Sequence, residues 1–347
     1  MITINLLKEY IENGYVREII HPIYNELSLY KYTPKCMMDG KWDEVTLSTR
    51  GLVLNNKTSE VIAQCIKKFF NIEELKRKNI PQVNLNQPFT VTEKYDGALV
   101  QIFRYKDDIV VSSSGSFDGH VVKIVYDMLK HEEYKSFIKN MVVGINYVFE
   151  LIHPETQVVV YYGDKEYLNF ITAVNIVGCE YDVNCVPHKV DEIKFNSIEG
   201  LLNKKRDDFK NKEGFVIKFE DGSRVKVKYD VYFILHKTFS NISKERVYKI
   251  LANGLDIDFS IIPDEAFEDV KVWKKELKDE YNSIDNKTNA IQNCCESTFN
   301  NRKDVALYLM KSHKEYSSII FAKMDNKFKD KLIWDKLSEV NYNEKTK

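Results

Sequence analysis

Glu213-Gly214-Phe215-Val216-Ile217-Lys218-Phe219-Glu220 runs into Asp221-Gly222 and then into Ser223-Arg224-Val225-Lys226-Val227-Lys228-Tyr229. Two alternating runs around Asp-Gly predict a β-hairpin with a two-residue type I′ turn. That turn pairs Phe219 with Arg224, Ile217 with Lys226 and Phe215 with Lys228. Strand alternation then puts all six side chains, with Glu213, on one face. A core face would not carry Lys226 and Lys228, and a plain solvent face would not carry Phe215 and Ile217. The mixture suits the floor of a pocket for a flat apolar ring and its attached phosphates. An ordinary amphipathic hairpin is the bland alternative.

Upstream, Glu93-Lys94-Tyr95-Asp96-Gly97 stands between two more alternating runs, Phe89-Thr90-Val91-Thr92 and Ala98-Leu99-Val100-Gln101-Ile102-Phe103. A lysine at a strand end followed by an Asp-Gly bend holds an amine at the floor of a pocket, although Lys-x-Asp-Gly alone is a weak signal. Residues 46–54 and 61–66 read as a hairpin around Asn55-Asn56-Lys57, with Arg50 in its first strand. An arginine inside a strand is costly unless its fork meets an anion such as phosphate. Lys67-Lys68-Phe69-Phe70-Asn71 follows. Glu150 sits mid-strand in 148–152, where a charge is rarely buried without a partner. Residues 158–162 and 168–177 read as further strands and 120–140 as helix. Residues 4–30 read as helix, broken at Asn13-Gly14 and interrupted at Pro22. Tyr30-Lys31-Tyr32 reads as an extended, core-packed segment.

After residue 240 the pattern turns helical. Ser243 is a candidate N-cap for a helix that stops at Asn253-Gly254, and helices are expected over 265–283, 287–300, 303–314 and 316–336. The chain therefore divides into an α+β domain, 1–240, and an all-α domain, 241–347.

With 51 basic and 52 acidic residues the formal net charge is -1, which excludes nucleic-acid coating through bulk charge. No apolar run approaches the roughly 18–20 residues of a membrane helix. Glu9 comes too early for a secretory signal. Cys36, Cys65, Cys179, Cys185, Cys294 and Cys295 form no CxxC pair, so reduced thiols in a cytoplasmic protein are expected.

Arg50-Gly51, Lys68-Phe69-Phe70-Asn71, Lys94-Tyr95-Asp96-Gly97, Phe149-Glu150, Glu213-Gly214-Phe215, Asp221-Gly222-Ser223 and Lys226-Val227-Lys228-Tyr229-Asp230-Val231-Tyr232, with His236 beyond, stand in one order. In that order they resemble the covalent nucleotidyltransferases. They look most like the phage-type RNA ligase 1 family, over residues 30–254 well and over the tail weakly. The resemblance implies a nucleotidyltransferase (adenylyltransferase) domain of antiparallel sheets flanked by helices, followed by an all-α domain for RNA specificity. It implies an ATP-dependent RNA ligase joining 5′-phosphate and 3′-hydroxyl ends through a lysyl-AMP enzyme and an RNA-adenylate. ATP and Mg²⁺, or Mn²⁺, would be its cofactors and broken tRNA its partner, with the protein a monomer.

By position, Lys94 would be the nucleophile. Arg50, Lys68, Lys226 and Lys228 would contact the nucleotide and its phosphates, with Phe70 and Tyr30 nearby. Glu150 would meet the ribose, and Glu213 the metal and reacting phosphate. Gly97 leaves room for close backbone approach. The chemistry agrees. A lysine titrates near about 10.4 and attacks phosphorus only as a neutral amine. Adjacent cations favour that form and stabilise charge on the phosphate. Mg²⁺ keeps waters that Glu150, Glu213 or Asp96 would hold. Two positions depart from the family. Its lysine before Gly-Ser is Ser114 here, leaving Arg104 or Lys106 to supply the charge. Its C-terminal acidic pair becomes Asp256 and Asp258 at altered spacing, with Asp258 the preferred metal ligand. Lys303, Lys311, Lys314 and Lys323 are candidate RNA contacts. DNA ligases and capping enzymes usually continue into an OB-fold, against which the helical tail argues. A non-catalytic RNA-binding protein needs no nucleophilic amine flanked by cations.

Overall fold

The computed structural model describes residues 2–205, 211–233, 243–257, 259, 262 and 264–341; the expectations for His236 and Asp258 lie outside them. The chain divides into two compact units, Met1–Phe239 and Ser240–Lys347.

In the first unit, β1 (Val16–Ile20), β2 (Leu27–Tyr32), β3 (Arg50–Asn55) and β4 (Val61–Ala63) form an antiparallel sheet in chain order. β5 (Phe70–Asn71) and β6 (Phe89–Lys94) open a second sheet. β7 (Ala98–Tyr105), β8 (Asp108–Ser113), β9 (Ile145–Ile152), β10 (Tyr167–Asn175) and β11 (Glu180–Tyr181) make a third, ordered β11-β10-β9-β7-β8. β12 (Gly214–Phe219) and β13 (Arg224–Lys228) complete the second, ordered β5-β13-β12-β6, with β5 parallel to β13. The class is α+β. Helices His120–Met128 and Glu132–Asn140 bury Val125, Met128, Tyr134 and Phe137 against Val100, Ile102, Phe149 and Phe170 on one face of the third sheet.

Three local expectations are not met. The helix Ile4–Glu12 forms, but residues 16–32 are a hairpin. Val16, Ile19 and Ile20 are β-branched, and β2 gains ladder partners on both sides, which a helix would forgo. Residues 44–48 are a turn of helix instead of a strand, because Asp43 and Thr46 form a reciprocal capping box. Residues 158–162 form no strand; the N–H groups of Val159 and Val160 donate to Asp96 Oδ2 at 2.8 Å each.

The β12–β13 hairpin forms with a different register. Lys218 faces Arg224, Val216 faces Lys226 and Gly214 faces Lys228. The loop has three residues, not two: Gly222 N–H donates to the Phe219 carbonyl (2.9 Å), Phe219 N–H to that of Ser223 (2.9 Å), and Gly222 takes φ 82°. This is a type I turn closed by a left-handed glycine. A one-residue slip moves a strand's side chains to the opposite face relative to its partner. Phe215, Ile217 and Phe219 therefore join Val225 and Val227 in a buried core. Arg224, Lys226 and Lys228 occupy the other face, free of the large apolar neighbours expected for them.

That face looks across a cleft to the third sheet, and two ties hold the cleft. Residues 188–190 bond to Phe170 of β10, and 191–193 then bond to Val91 and Glu93 of β6. Glu180 of β11 accepts from Arg224 at 2.6 and 2.5 Å and from Lys218 at 2.7 Å. Burial raises the Glu180 pKa, but the two cations outweigh it and hold the carboxyl down at about 2. The first and third sheets are keyed by buried amides: Gln101 donates to the Gly51 carbonyl (3.0 Å), and Asn146 donates to Gln101 (2.7 Å) and to the Gln64 carbonyl (3.0 Å).

The second unit contains helices Lys244–Ala252, Asp264–Thr298, Arg302–Ser312, Ser317–Met324 and Lys331–Asn341, with no strand among its described residues. The break expected near 284–286 is absent, since no Gly or Pro interrupts the 35-residue helix. A break instead follows Met324, where Asn326 takes φ 53° and Lys327 N–H caps the Ala322 carbonyl at 2.8 Å. No helix among the described residues is long and apolar enough to cross a membrane.

Gly214 tests the packing of the hairpin. A Cβ there would lie 2.1 Å from the Val227 carbonyl oxygen and 2.7 Å from the Lys228 Cα. Gly214→Ala is expected to cost about 3 kcal/mol in urea unfolding, the range of severe core strain. Gly222→Ala meets nothing within 4 Å and is expected to cost about 1 kcal/mol from its left-handed backbone alone. Equal losses would contradict the close strand approach.

Candidate active site

Gly214 on β12 pairs with Lys94 on β6 and with Lys228 on β13, so two lysines flank a residue that has no side chain. Glu213 reaches into that gap. Its Oε2 lies 2.8 Å from Lys94 Nζ and its Oε1 2.7 Å from Lys228 Nζ. The carboxylate is 3% exposed. Burial alone would raise its pKa, yet the ammonium groups of Lys94 and Lys228 outweigh burial and hold it below the ordinary value. Lys226 is buried on the same face, beside Asn71 of β5, whose Oδ1 is buried without a partner among the described residues.

Glu150 of β9 forms the opposite wall. Burial pushes its pKa up to about 7, Lys94 and Arg50 pull it down, Glu213 adds to the rise, and Gly97 N–H donates to it. A Cβ on Gly97 would sit 2.2 Å from the Leu151 carbonyl oxygen and 3.1 Å from Glu150 Cγ, so glycine is needed where the β6–β7 bend rests on β9. Asn169 of β10 pairs with Glu150 and shares its face. It is 2% exposed. Sequence reading passed over it; a lone amide inside Tyr167-Leu168-Asn169-Phe170-Ile171 was the available signal. Arg50 lies 5.3 Å over the Phe69 ring, with its Nη1 buried and unpartnered among the described residues. Phe69 packs with Leu99 and Ile171 of the third sheet.

Other expected residues have different surroundings. Asp96 is buried and fully engaged: besides Val159 and Val160, the Tyr232 hydroxyl donates to it at 2.9 Å. The Tyr232 ring in turn lies 4.9 Å from Lys228 Nζ. Asp96 thus fixes the bend after Lys94, and its oxygens are not offered to a metal. Lys68 and Phe70 are brought together in an aromatic cluster, with Lys68 Nζ 5.5 to 6.0 Å from the rings of Phe70, Tyr32 and Trp42. The ring beneath Arg50 is that of Phe69. Tyr30 is 1% exposed in an apolar cluster with Leu7 and Leu52, and its hydroxyl donates to Glu18 at 3.0 Å, so packing accounts for it and not nucleotide contact. Arg104 donates to the carbonyls of Met141 and Ile138, and Lys106 pairs with Glu26 at 2.7 Å; neither stands in at Ser114. Asp256 pairs with Lys274 at 2.6 Å. Lys323 is spent inside the second unit on Asp285, Thr288 and Asn289, at 2.7, 2.8 and 2.6 Å, while Lys303, Lys311 and Lys314 are exposed.

The cleft sets Arg50, Lys94, Lys226 and Lys228 against Glu150 and Glu213, an excess of cations suited to a polyphosphate. No group of three or more His, Cys, Asp or Glu lies together among the described residues. A hard divalent ion fits only if Glu150 and Glu213 are supplemented by phosphate oxygens and water, as such ions accept. The raised Glu150 has a measurable consequence. Its proton is held to about 7 in the folded state but lost near 4.5 when unfolded. The folded state therefore binds more protons in that window, and stability falls as pH rises through it, by on the order of 3 kcal/mol at most. Glu150→Gln removes this slope. Its melting temperature is expected to gain on the wild type between about pH 5 and about pH 7.5; parallel curves would show that Glu150 is not desolvated.

The chain is 24% identical to the "RNA ligase" of Rhodothermus phage RM378, across 86% of this chain and 85% of that one. It is 24% identical to the "Putative bifunctional polynucleotide kinase/RNA ligase" of Autographa californica nuclear polyhedrosis virus, spanning 62% of this chain but 34% of that protein. Among solved structures, a mutant Naegleria gruberi RNA ligase with ATP and Mn aligns at 19% identity and TM-score 0.35, over 44% of this chain and 52% of that one. The family model described as RNA ligase, of the phage T4 RNA ligase 1 type, matches residues 48–238, more than half of the chain. The chain belongs to this RNA ligase family.

Proposed function

We propose that the protein is an ATP-dependent RNA ligase that seals a 5′-phosphate to a 3′-hydroxyl through a lysyl-AMP on Lys94. The observation that carries this is the buried Glu213 carboxylate shared by Lys94 and Lys228 and facing Glu150, within a chain of the RNA ligase family. Attack needs the Lys94 lone pair, so the amine must leave its ion pair with Glu213 and give up a proton to solvent water, which reaches its 21% exposed side chain. The nitrogen then bonds to the α-phosphorus of ATP, the bond to the β-phosphate breaks, and pyrophosphate departs with the electron pair. Lys226 and Lys228 sit where negative charge grows on the α-phosphate, and fixed cations in a dry site stabilise it strongly. Glu150 and Asn169 offer adjacent polar groups to the ribose or base.

AMP then passes to an RNA 5′-phosphate, and a 3′-hydroxyl displaces it to seal the strand. Mg²⁺, held through Glu150, Glu213 and water, would supply further positive charge to the phosphates. Broken tRNA is the substrate we favour, with the protein acting as a cytoplasmic monomer. In this reading residues 1–240 carry the adenylylation chemistry. The helical unit, 241–347, gives RNA specificity by shape and a few local cations such as Lys303, Lys311 and Lys314.

The test is incubation with α-labelled ATP or GTP and a divalent ion, followed by denaturation. Label from ATP is expected on the protein, lost in Lys94→Ala and reduced at least about 100-fold in Lys228→Ala. Label persisting in Lys94→Ala would remove the nucleophile assigned here, transfer from GTP alone would indicate capping, and sealing of DNA ends in preference to RNA would indicate a DNA ligase.

A further inference from the structure

Two basic residues outside the set above extend the site along the first sheet. Register places Arg17 opposite Lys31 and Lys31 opposite Arg50, so three cations form one row across β1, β2 and β3. Like charges directly opposite on a sheet repel, and a row of three is retained at a cost. Directly paired residues share a face. This face is the one on which Ile19, Leu29 and Val53 pack against Phe103 and Val110 of the third sheet. The inner end of the row is Arg50, whose Nη1 is buried without an acceptor among the described residues and whose charge acts on Glu150. A ladder irregularity at Gly51, with φ 96° and its carbonyl held by Gln101, sets Arg50 opposite Lys31. The outer end meets the turn after β8. Lys31 Nζ lies 3.4 Å from Ser114 Oγ, and a Cβ on Gly115 would sit 3.0 Å from both Lys31 Nζ and Arg17 Nη2. Arg17, Lys31, a hydroxyl and a glycine that admits close approach thus meet at the outer end of a row whose inner end, Arg50, acts on Glu150.

We propose that Arg17, Lys31 and Arg50 form a phosphate-binding row. Its outer two members come from the N-terminal hairpin and take the polyphosphate tail of the nucleotide whose α-phosphate lies at Lys94. Lys31 and Arg17 bring to the Ser114–Gly115 turn the positive charge that its own strand lacks. The identity of the nucleotide rests on the ligase reading; the row itself does not. The shared chemistry is phosphate, and its two possible sources, a nucleotide tail and the 5′-phosphate of an RNA end, are separable by experiment.

Calorimetric binding of inorganic pyrophosphate, ATP, AMP and matched 5′-phosphate and 5′-hydroxyl oligoribonucleotides is measured for wild type, Arg17→Ala, Lys31→Ala and Lys31→Met. Lys31→Met keeps the apolar stem, and Arg17→Lys serves as the charge-retaining control. Each charge removal is expected to weaken pyrophosphate and ATP by about tenfold and AMP by less than about twofold, with Arg17→Lys recovering most of the loss. Loss confined to the preference for 5′-phosphate RNA would overturn the assignment to the nucleotide tail and give the row to the RNA end. No change with any phosphate, in variants that melt like wild type, overturns the row. Wild-type protein that binds pyrophosphate through these residues yet takes no label from ATP would overturn the ligase reading and leave the row standing.

Discussion

The first unit depends on one carboxylate shared by two lysines. Glu213 is buried between Lys94 and Lys228 on neighbouring strands, and both of its oxygens carry charge-assisted hydrogen bonds. Removing charges from water is expensive, and a buried pair holds only when its geometry and hydrogen bonds are good. The geometry here comes from Gly214. Without a side chain between the lysines, a carboxylate from the preceding residue occupies the space and brings β6, β12 and β13 into one electrostatic unit. Deleting Glu213 would set the Lys94 and Lys228 charges against one another across Gly214, so this contact holds the three strands together.

Around that centre the protein spends its polar groups on alignment. Asp96 receives two backbone N–H groups and the Tyr232 hydroxyl, which holds the bend after Lys94 against the loop at 159–160. Glu180 ties β11 to β13 through Arg224, and the strap 188–193 ties β10 to β6. Gln101 and Asn146 lock the first sheet to the third. The last three ties each join two sheets, with Glu150 on one and Lys94 on another. Arg50, Lys31 and Arg17 then extend the positive field out of the cleft along the first sheet.

Reading the sequence placed β6, β7, β9, β12 and β13, because alternation and turn chemistry are local properties. It erred where a distant partner outweighed local preference. Residues 16–32 have helical spacing, yet β2 lies between two strands and is stabilised by both. Residues 158–162 alternate like a strand, yet their N–H groups serve Asp96. Alternation identifies the hairpin at 213–229, but Asp-Gly predicts a two-residue turn where the chain makes a three-residue one. That single residue separates the aromatic side chains from the lysines. The grouping of Lys226 with Lys228 is unaffected because alternation within β13 puts both on one face whatever the register; Glu213 joins them through the irregular backbone at Gly214, φ 156°.

The sequence by itself determined which residue types are available, their order along the chain, and which segments alternate: Lys94 at a strand end, Glu150 mid-strand, and Glu213, Lys226 and Lys228 about one hairpin. Tertiary structure alone decided what those groups meet. Lys94 and Glu213 are 119 residues apart, and only sheet pairing places them at 2.8 Å. The same pairing turned Tyr30 into the core and Lys31 beside Ser114, and lined up Arg17 with Lys31 and Arg50. The reason is physical: alternation fixes the relative facing of neighbours within a strand, whereas register and sheet packing, set by contacts remote in sequence, decide which face looks into the cleft.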